Sequence, residues 1–336
     1  MSEFKPKGKI AIIGGGLAGT SLAKLFHEKG LSFHWYSDMK SSASHISSGI
    51  LNPVTGRRYA SAWKYDELIA VAKPFYGKFL TPIKLEKHFT PYKEQSSIDD
   101  VIRGKENYLS KINEKWVEVK ASYQLQTNAF INYYRDLLSE QHSIITQAFN
   151  PSDLLPDGDA WSYREEKYSQ ILFAEGILVQ NNPFFNYIDF QPNRGEVLLL
   201  DIYSNKPEAV KKHGKFICPF GEQFWVGSSF DKVDFQVDLT TEKTKQDLLE
   251  ALPNLIEGND YKVLNHLGAL RSTTFDRRPI VGEHPQHKGL FIFNGFGTKG
   301  SSLIPWCSQQ LFNRLINEKN INVEIDIARC KLYKKL

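Results

Sequence analysis

Apolar and polar positions along the chain switch repeatedly between the period of a strand and that of a helix. Lys9–Ile13 reads as a short apolar strand, residues 14–19 as a glycine turn, residues 20–29 as an amphipathic helix and Phe33–Tyr36 as a second strand, which is half of a βαβ unit. A serine-rich loop over residues 37–48 leads to GILNPVTGRRY, after which residues 61–80 have helical spacing with a break near Pro74. From residue 83 to 123 the apolar pieces are short and separated by turn residues, with Trp116, Val117 and Val119 giving one strand.

The texture changes at Asn128. AFINYYRDLLSE is helical, SIITQAF is strand-like, residues 154–168 read as a hairpin region and residues 170–174 as a buried strand. EVLLLDIY, KFICPF and QFWVGSSF follow as strands, residues 242–252 as a helix, LFIFNG as a strand, and residues 303–317 as a helix behind the glycine-bearing FGTKGSS. This alternation predicts an α/β fold in two parts. A Rossmann-type domain comes from the separated segments 1–75, 124–183 and 275–336, with an inserted, mainly antiparallel α+β substrate domain from 76–123 and 184–274.

Composition fits that picture. A length of 336 residues suits two domains sharing one body, and 41% hydrophobic residues provide for a core. The net charge of +4 is mild, and Lys5, Lys7, Lys9, Lys331, Lys334 and Lys335 sit at the two ends, so charge alone does not argue for nucleic acid. Three widely spaced cysteines, Cys218, Cys307 and Cys330, give neither a disulfide framework nor a zinc pattern and suit a reducing cytoplasm. The opening MSEFKPKGKIAIIGGGLAG has only a brief apolar stretch, unlike a signal peptide or a membrane span, and the expectation is a soluble protein.

The glycine turn carries the first chemistry. Gly14, Gly16 and Gly19 occupy the positions needed for a tight turn, for backbone approach to a pyrophosphate and for packing of helix on strand. The helix N-terminus then presents free N–H groups to phosphate. Asp38, at the end of the second strand, is placed to accept from the adenosine ribose hydroxyls, with Ser37 the alternative by register. The turn binds a dinucleotide but does not separate NAD from FAD.

Further along, LGALRSTTFDRRPIVGEHP and then GLFIFNGFGTKGSSLIPWCSQQL resemble the closing motifs of the D-amino acid oxidase and glycine oxidase family of FAD-dependent oxidoreductases. LQTNAFINYYRDLLSE, YSQILFAEG and QPNRGEVL resemble that family's intermediate landmarks in the same order, so the likeness runs through nearly the whole chain. GFGTKGSSLIP also resembles the oxidase half of the bifunctional tRNA wobble-uridine modifying enzyme. The resemblance implies FAD, bound non-covalently because no cysteine stands near Thr273. It also implies that Gly297, Lys299, Gly300, Ser301 and Ser302 lie beneath the flavin pyrimidine ring, that Ser47, Ser48 and Gly49 lie over the flavin, and that Arg271 clamps a substrate carboxylate. A surface ion pair of Arg271 with Asp276 is the bland alternative, and Arg277 and Arg278 read as solvated or bridging.

Two positions depart from the family pattern: Glu175, between Ala174 and Gly176, and Asn294 after the last strand, which leaves the rim of the substrate pocket open. The implied reaction is oxidation of the C–N bond of a small amine or amino acid by hydride transfer to flavin N5, with oxygen or another acceptor taking the electrons. His45 reads as a loop residue, and Pro285 between His284 and His287 argues for a loop instead of a metal-binding helix. No nucleophile elbow or Walker lysine motif occurs. Three other readings stand beside this one: a tRNA-modifying oxidase acting on a carboxymethylaminomethyl uridine, motivated also by Arg57, Arg58 and Lys64; an NAD-dependent dehydrogenase; and a non-catalytic flavin-binding protein.

Overall fold

A computed structural model describes residues 8–40, 42–91, 97–141 and 143–330. The lysines at the two ends, apart from Lys9, lie outside those residues. Lys9–Ile13 is buried on both faces, as a near-continuous apolar run requires of a central parallel strand. It pairs in parallel with Phe33–Tyr36 on one side and Glu166–Phe173 on the other. Ile144–Ile145 extends the parallel sheet beyond Phe33–Tyr36, and Leu290–Asn294 extends it beyond Glu166–Phe173. Antiparallel strands complete the eight, the hairpin strands Leu155–Asp157 and Ala160–Tyr163 and the strand Ile280–Glu283. Helices Leu17–Glu28, Tyr65–Tyr76, Thr127–Glu140 and Gly300–Asn317 share one core with the apolar side chains of one face.

The last helix begins at Gly300, three residues before the onset read from apolar spacing, because glycine and serine carry no periodic signal. The helix expected over residues 61–80 is shorter, Tyr65–Tyr76, and Pro74 falls in its final turn, two residues before its end. SIITQAF supplies only the two-residue strand Ile144–Ile145.

A nine-stranded, mainly antiparallel sheet forms the second layer. Its spine is a pair of long strands, Phe190–Ile202 and Tyr261–Thr274, in antiparallel register from Phe190 opposite Thr274 to Ile202 opposite Tyr261. The pattern of apolar residues did not reveal Tyr261–Thr274, whose side chains are mostly half-buried and polar. Leu198, Leu200, Ile217 and Val226 pack on one face against Leu248 of the helix Glu242–Glu250. Val197, Leu199, Cys218 and Trp225 on the other face meet Val54 and Tyr59 from the first layer, and the Trp225 indole donates to the Ile46 carbonyl at 2.8 Å. No helix among the described residues is long and apolar enough to cross a membrane.

Glu196 fixes the spine from the helix-covered face. Its side chain is fully buried, pairs with Arg194 at 3.1 Å and His266 at 2.9 Å, and accepts from the Thr241 amide at 2.8 Å. Removing one member of such a group leaves the others desolvated and unmatched. Glu196→Ala is therefore expected to lower unfolding stability by about 3 kcal/mol, as measured by urea denaturation, and a change below about 1 kcal/mol would contradict a structural role.

Candidate functional site

The parallel strands all end at one edge of their sheet, and the loops leaving that edge are the ones the sequence singled out. Gly14 leaves the first strand with φ +119°, and a Cβ there would stand 2.3 Å from the Ala174 carbonyl oxygen, at the end of the neighbouring strand. A Cβ at Gly19 would stand 1.9 Å from the Gly14 oxygen, so helix and turn touch only because no side chain intervenes. Gly16 precedes the helix Leu17–Glu28, whose first amide donates to Ser44 Oγ at 3.0 Å. The helix N-terminus thus opens at this edge, as anion binding requires.

Ser37 and Asp38 follow the second strand. Ser37 is buried and its hydroxyl accepts from the Met39 amide at 3.2 Å. Asp38 is partly exposed, accepts from the Lys40 amide and makes a loose ion pair with the Lys40 ammonium at 3.6 Å. Two residues missed in the sequence brace this turn. The Trp35 indole donates to the Gly14 carbonyl at 2.8 Å, and the buried Arg135 guanidinium donates to the Gly15 carbonyl at 2.9 Å. An arginine on the apolar side of AFINYYRDLL, four residues after Ile131, was the available signal.

Both departures from the family pattern resolve into contacts at the same edge. Glu175 accepts from Asn182 Nδ2 at 2.9 Å, and burial pushes its carboxyl up to about 7. Asn294 is buried, donates to the Gly176 carbonyl at 2.8 Å and accepts from the Gly295 amide. It ties the last parallel strand to the Ala174–Gly176 turn. The final glycine turn follows directly: Gly297 has φ +53° and donates to the Ser272 carbonyl at 3.0 Å. Gly300, Ser301 and Ser302 form the first turn of the last helix, with Ser302 Oγ donating to the Lys299 carbonyl at 3.0 Å. The two glycine turns therefore open at the same edge, connected through Ala174, Gly176 and Asn294.

Ser47, Ser48 and Gly49 reach this region from the serine-rich loop. Gly49 has φ +68°, and a Cβ on it would lie 2.0 Å from the Leu125 carbonyl oxygen. Ser47 Oγ accepts from the Gly49 amide, and the Ser48 carbonyl accepts from Gln124 Nε2. His45 Nδ1 accepts from the Ser42 amide at 3.0 Å, so this ring pins its own loop. Lys299 Nζ donates to Asn52 Oδ1 at 3.3 Å, joining the final turn to the loop's continuation.

Arg271 projects from the long strand toward the same region. Its guanidinium donates to Asn193 Oδ1 and to Ser228 Oγ, both at 2.7 Å, and covers Gly195, where a Cβ would fall 1.8 Å from a guanidinium nitrogen. The alternative ion pair with Asp276 is absent, since Asp276 is bonded instead to Arg329. No described carboxylate lies within ion-pair distance of Arg271, and burial lowers its pKa to about 10. Beside it, Asn193 Nδ2 and Ser272 Oγ are buried polar atoms with no partner among the described residues. Arg277 is exposed, and Arg278 stacks on Trp63 and pairs with Glu324. Lys64 is held by Glu67, while Arg57 and Arg58 are exposed. His284 and His287 lie in a loop, where His284 Nδ1 accepts from the amides of Gln286 and His287.

This combination sets the two glycine turns of a parallel sheet beside a half-buried arginine, and residues 154–314 match the family model described as DAO, FAD dependent oxidoreductase. The matched stretch is just under half of the chain and is similar to that family's domain. Glycine oxidase from Geobacillus kaustophilus has the same fold, with a TM-score of 0.75 at 16% identity, over 98% of this chain and 100% of that one. Glycine oxidase from Bacillus cereus ATCC 14579 gives 0.74 at 17%, over 98% and 99%. A stretch of 99 residues is 29% identical to the tRNA 5-methylaminomethyl-2-thiouridine biosynthesis bifunctional protein MnmC of Psychrobacter cryohalolentis. That match spans 28% of this chain and 14% of the length of the curated relative.

The groups at the sheet edge fit FAD chemically. The glycine-lined helix N-terminus suits a pyrophosphate, and the second helix N-terminus with Lys299 gives the positive potential that a reduced isoalloxazine requires. Burial holds Lys299 at about 8, Lys212 at about 8 and Lys87 at about 7, well below an ordinary lysine. The folded protein thus releases these protons near pH 7–8, while the unfolded chain keeps them to about 10.5. With more protons on the unfolded state, stability rises with pH over that window. Glu175, raised from 4.5 to about 7, acts with the opposite sign below it. The FAD-free protein should accordingly resist urea better at pH 9.5 than at pH 7.5, and replacing all three lysines by methionine should flatten that slope. An equal slope in the triple variant would show that the lysines are not its source.

Proposed function

We propose that this oxidoreductase oxidises the C–N bond of a small amine or amino acid whose carboxylate is held by Arg271. What supports this above all is the half-buried guanidinium itself, fixed by Asn193 and Ser228 and within ion-pair distance of no described carboxylate. A planar fork fixed by neutral acceptors, Asn193, Ser228 and, at 3.4 Å, the Ser229 carbonyl, keeps its remaining donors for a carboxylate and sets the adjacent carbon in one place. FAD, when bound, supplies the acceptor for the hydride leaving the carbon next to nitrogen.

The chain's own residues do the rest of the work in this reading. Gly14, Gly16 and Gly19 let the pyrophosphate approach the helix N-terminus, Asp38 or Ser37 takes the ribose hydroxyls, and Ser47, Ser48 and Gly49 cover the ring. Gly297, Gly300, Ser301 and Ser302 present amides, and Lys299 a charge, to the pyrimidine side. Half-burial of the pocket disfavours the ammonium form of the substrate, so its nitrogen enters with a free lone pair and no catalytic base is needed. Segments 1–75, 124–183 and 275–336 bind the cofactor, and 76–123 with 184–274 shape the pocket. The attachment is non-covalent: Cys218 and Cys307 are buried in cores, and burial pushes their thiols up. Three free cysteines also favour a cytoplasmic setting, with oxygen or another acceptor reoxidising the flavin.

Anaerobic mixing of the holoprotein with a panel of amines and amino acids should bleach the flavin with at least one of them. Arg271→Lys should retain the flavin yet lower the reduction efficiency by about 100-fold. Full activity in that variant would remove Arg271 from the site. The match to MnmC keeps one second reading, a tRNA-modifying oxidase acting on a carboxymethylaminomethyl uridine. It requires salt-sensitive tRNA binding, and it falls if tRNA neither binds nor reduces the flavin while free amino acids do.

A further inference from the structure

The pocket face of the nine-stranded sheet carries more positive charge than one carboxylate needs. In register across the strands, Lys87 lies beside Lys212, Lys212 opposite Phe216, Phe216 opposite Gly227, Gly227 opposite Val197 and Val197 opposite Leu267. Side chains two residues apart along a strand share a face, so Arg271, four residues beyond Leu267, points to the same side as Lys212 and Lys87.

The head groups of Arg271 and Lys212 converge across this face. Arg271 crosses Gly195 to reach Ser228, at the end of the strand Gln223–Gly227. The Lys212 ammonium lies 3.7 Å from the centre of the Phe216 ring, and Phe216 is the direct partner of Gly227. The two side chains thus reach the row of Phe216, Gly227 and Ser228 from opposite sides, as the two ends of an amino dicarboxylate would require.

No described carboxylate pairs with either group. The charges acting on Lys212 are those of Lys299 and Lys215, both of its own sign. Lys215 donates to the Ser228 carbonyl at 3.4 Å, on the residue whose hydroxyl receives Arg271. Lys87 is committed elsewhere, to the Gly56 carbonyl at 2.6 Å beneath the Tyr59 ring, and Lys299 to Asn52. That leaves Lys212, half-buried and resting on an aromatic ring with no acceptor among the described residues. Asp231 acts on Arg271 from beyond ion-pair distance, but no acid acts on Lys212, and half-buried cations without counter-charge are relieved by anionic ligands.

We propose that the substrate carries a second acidic group besides the carboxylate taken by Arg271, and that Lys212 binds it; the substrate class is an amino dicarboxylate. This rests on the assignment of Arg271 to the first carboxylate and adds a specificity residue on a strand that assignment does not use.

The test uses the FAD-loaded protein and carboxylates that lack an amine, so that binding is read from the flavin absorption spectrum without turnover. Succinate should bind at least tenfold more tightly than butyrate, and glutarate than valerate. Lys212→Gln should bring each dicarboxylate down to the affinity of its monocarboxylate partner, and Lys212→Arg should keep the difference, with flavin content reporting that both variants fold. Equal affinities in the wild-type protein, or a dicarboxylate preference that survives Lys212→Gln, overturn the second subsite while leaving Arg271 in place. If no carboxylate of either kind perturbs the spectrum, the Arg271 assignment fails and takes this inference with it.

Discussion

Parallel pairing of the strand Glu166–Phe173 with two strands far from it in sequence is the constraint on which this protein depends. Lys9–Ile13 pairs on one side and Leu290–Asn294 on the other, so the turns that begin at Gly14, Ala174 and Gly295 leave one edge together. Parallel strands need long crossovers, and the second layer, built from segments inside them, is thereby carried over that edge. Glycines permit the approach at two close points: a Cβ at Gly14 would strike the Ala174 carbonyl, and one at Gly195 would occupy the place of the Arg271 guanidinium.

The second consequence is electrostatic. One face of the antiparallel sheet looks at the sheet edge and holds Arg271, Lys212 and Lys87, while Lys299 comes to them from the final turn. Glu196, the acid on the same spine, faces the opposite side and is consumed by Arg194 and His266. Strand alternation thus segregates the charges, leaving positive potential on the face that holds Arg271 and Lys212. That segregation is costly to the folded protein without ligands and useful to it with them, a pattern common to sites organised for charged ligands.

Much of this was legible in the sequence. The strand, glycine turn and helix of residues 9–28 are local, each set by its own residues, and the motif order at the far end carried the family resemblance. The long strand Tyr261–Thr274 was not legible as a strand, because its half-buried side chains follow no apolar alternation and its pairing with Phe190–Ile202 is non-local. Trp35 and Arg135 escaped for the same reason: their meaning lies in carbonyls of the glycine turn 21 and 120 residues away.

The sequence by itself determined the local geometry of the glycine turns, which depends on residue type at short spacing, while the choice of FAD over NAD came from the resemblance carried by the motif order. Only the tertiary structure decided which charges share a face, which carboxylates are already spent and which are missing. Asp276 was as close to Arg271 in sequence as a partner could be, yet it bonds to Arg329. Lys212 stood out by no motif, and only its register with Lys87 and Phe216 brings it to the face of Arg271. Pairing between strands distant along the chain sets these neighbours, and no short-range pattern encodes it.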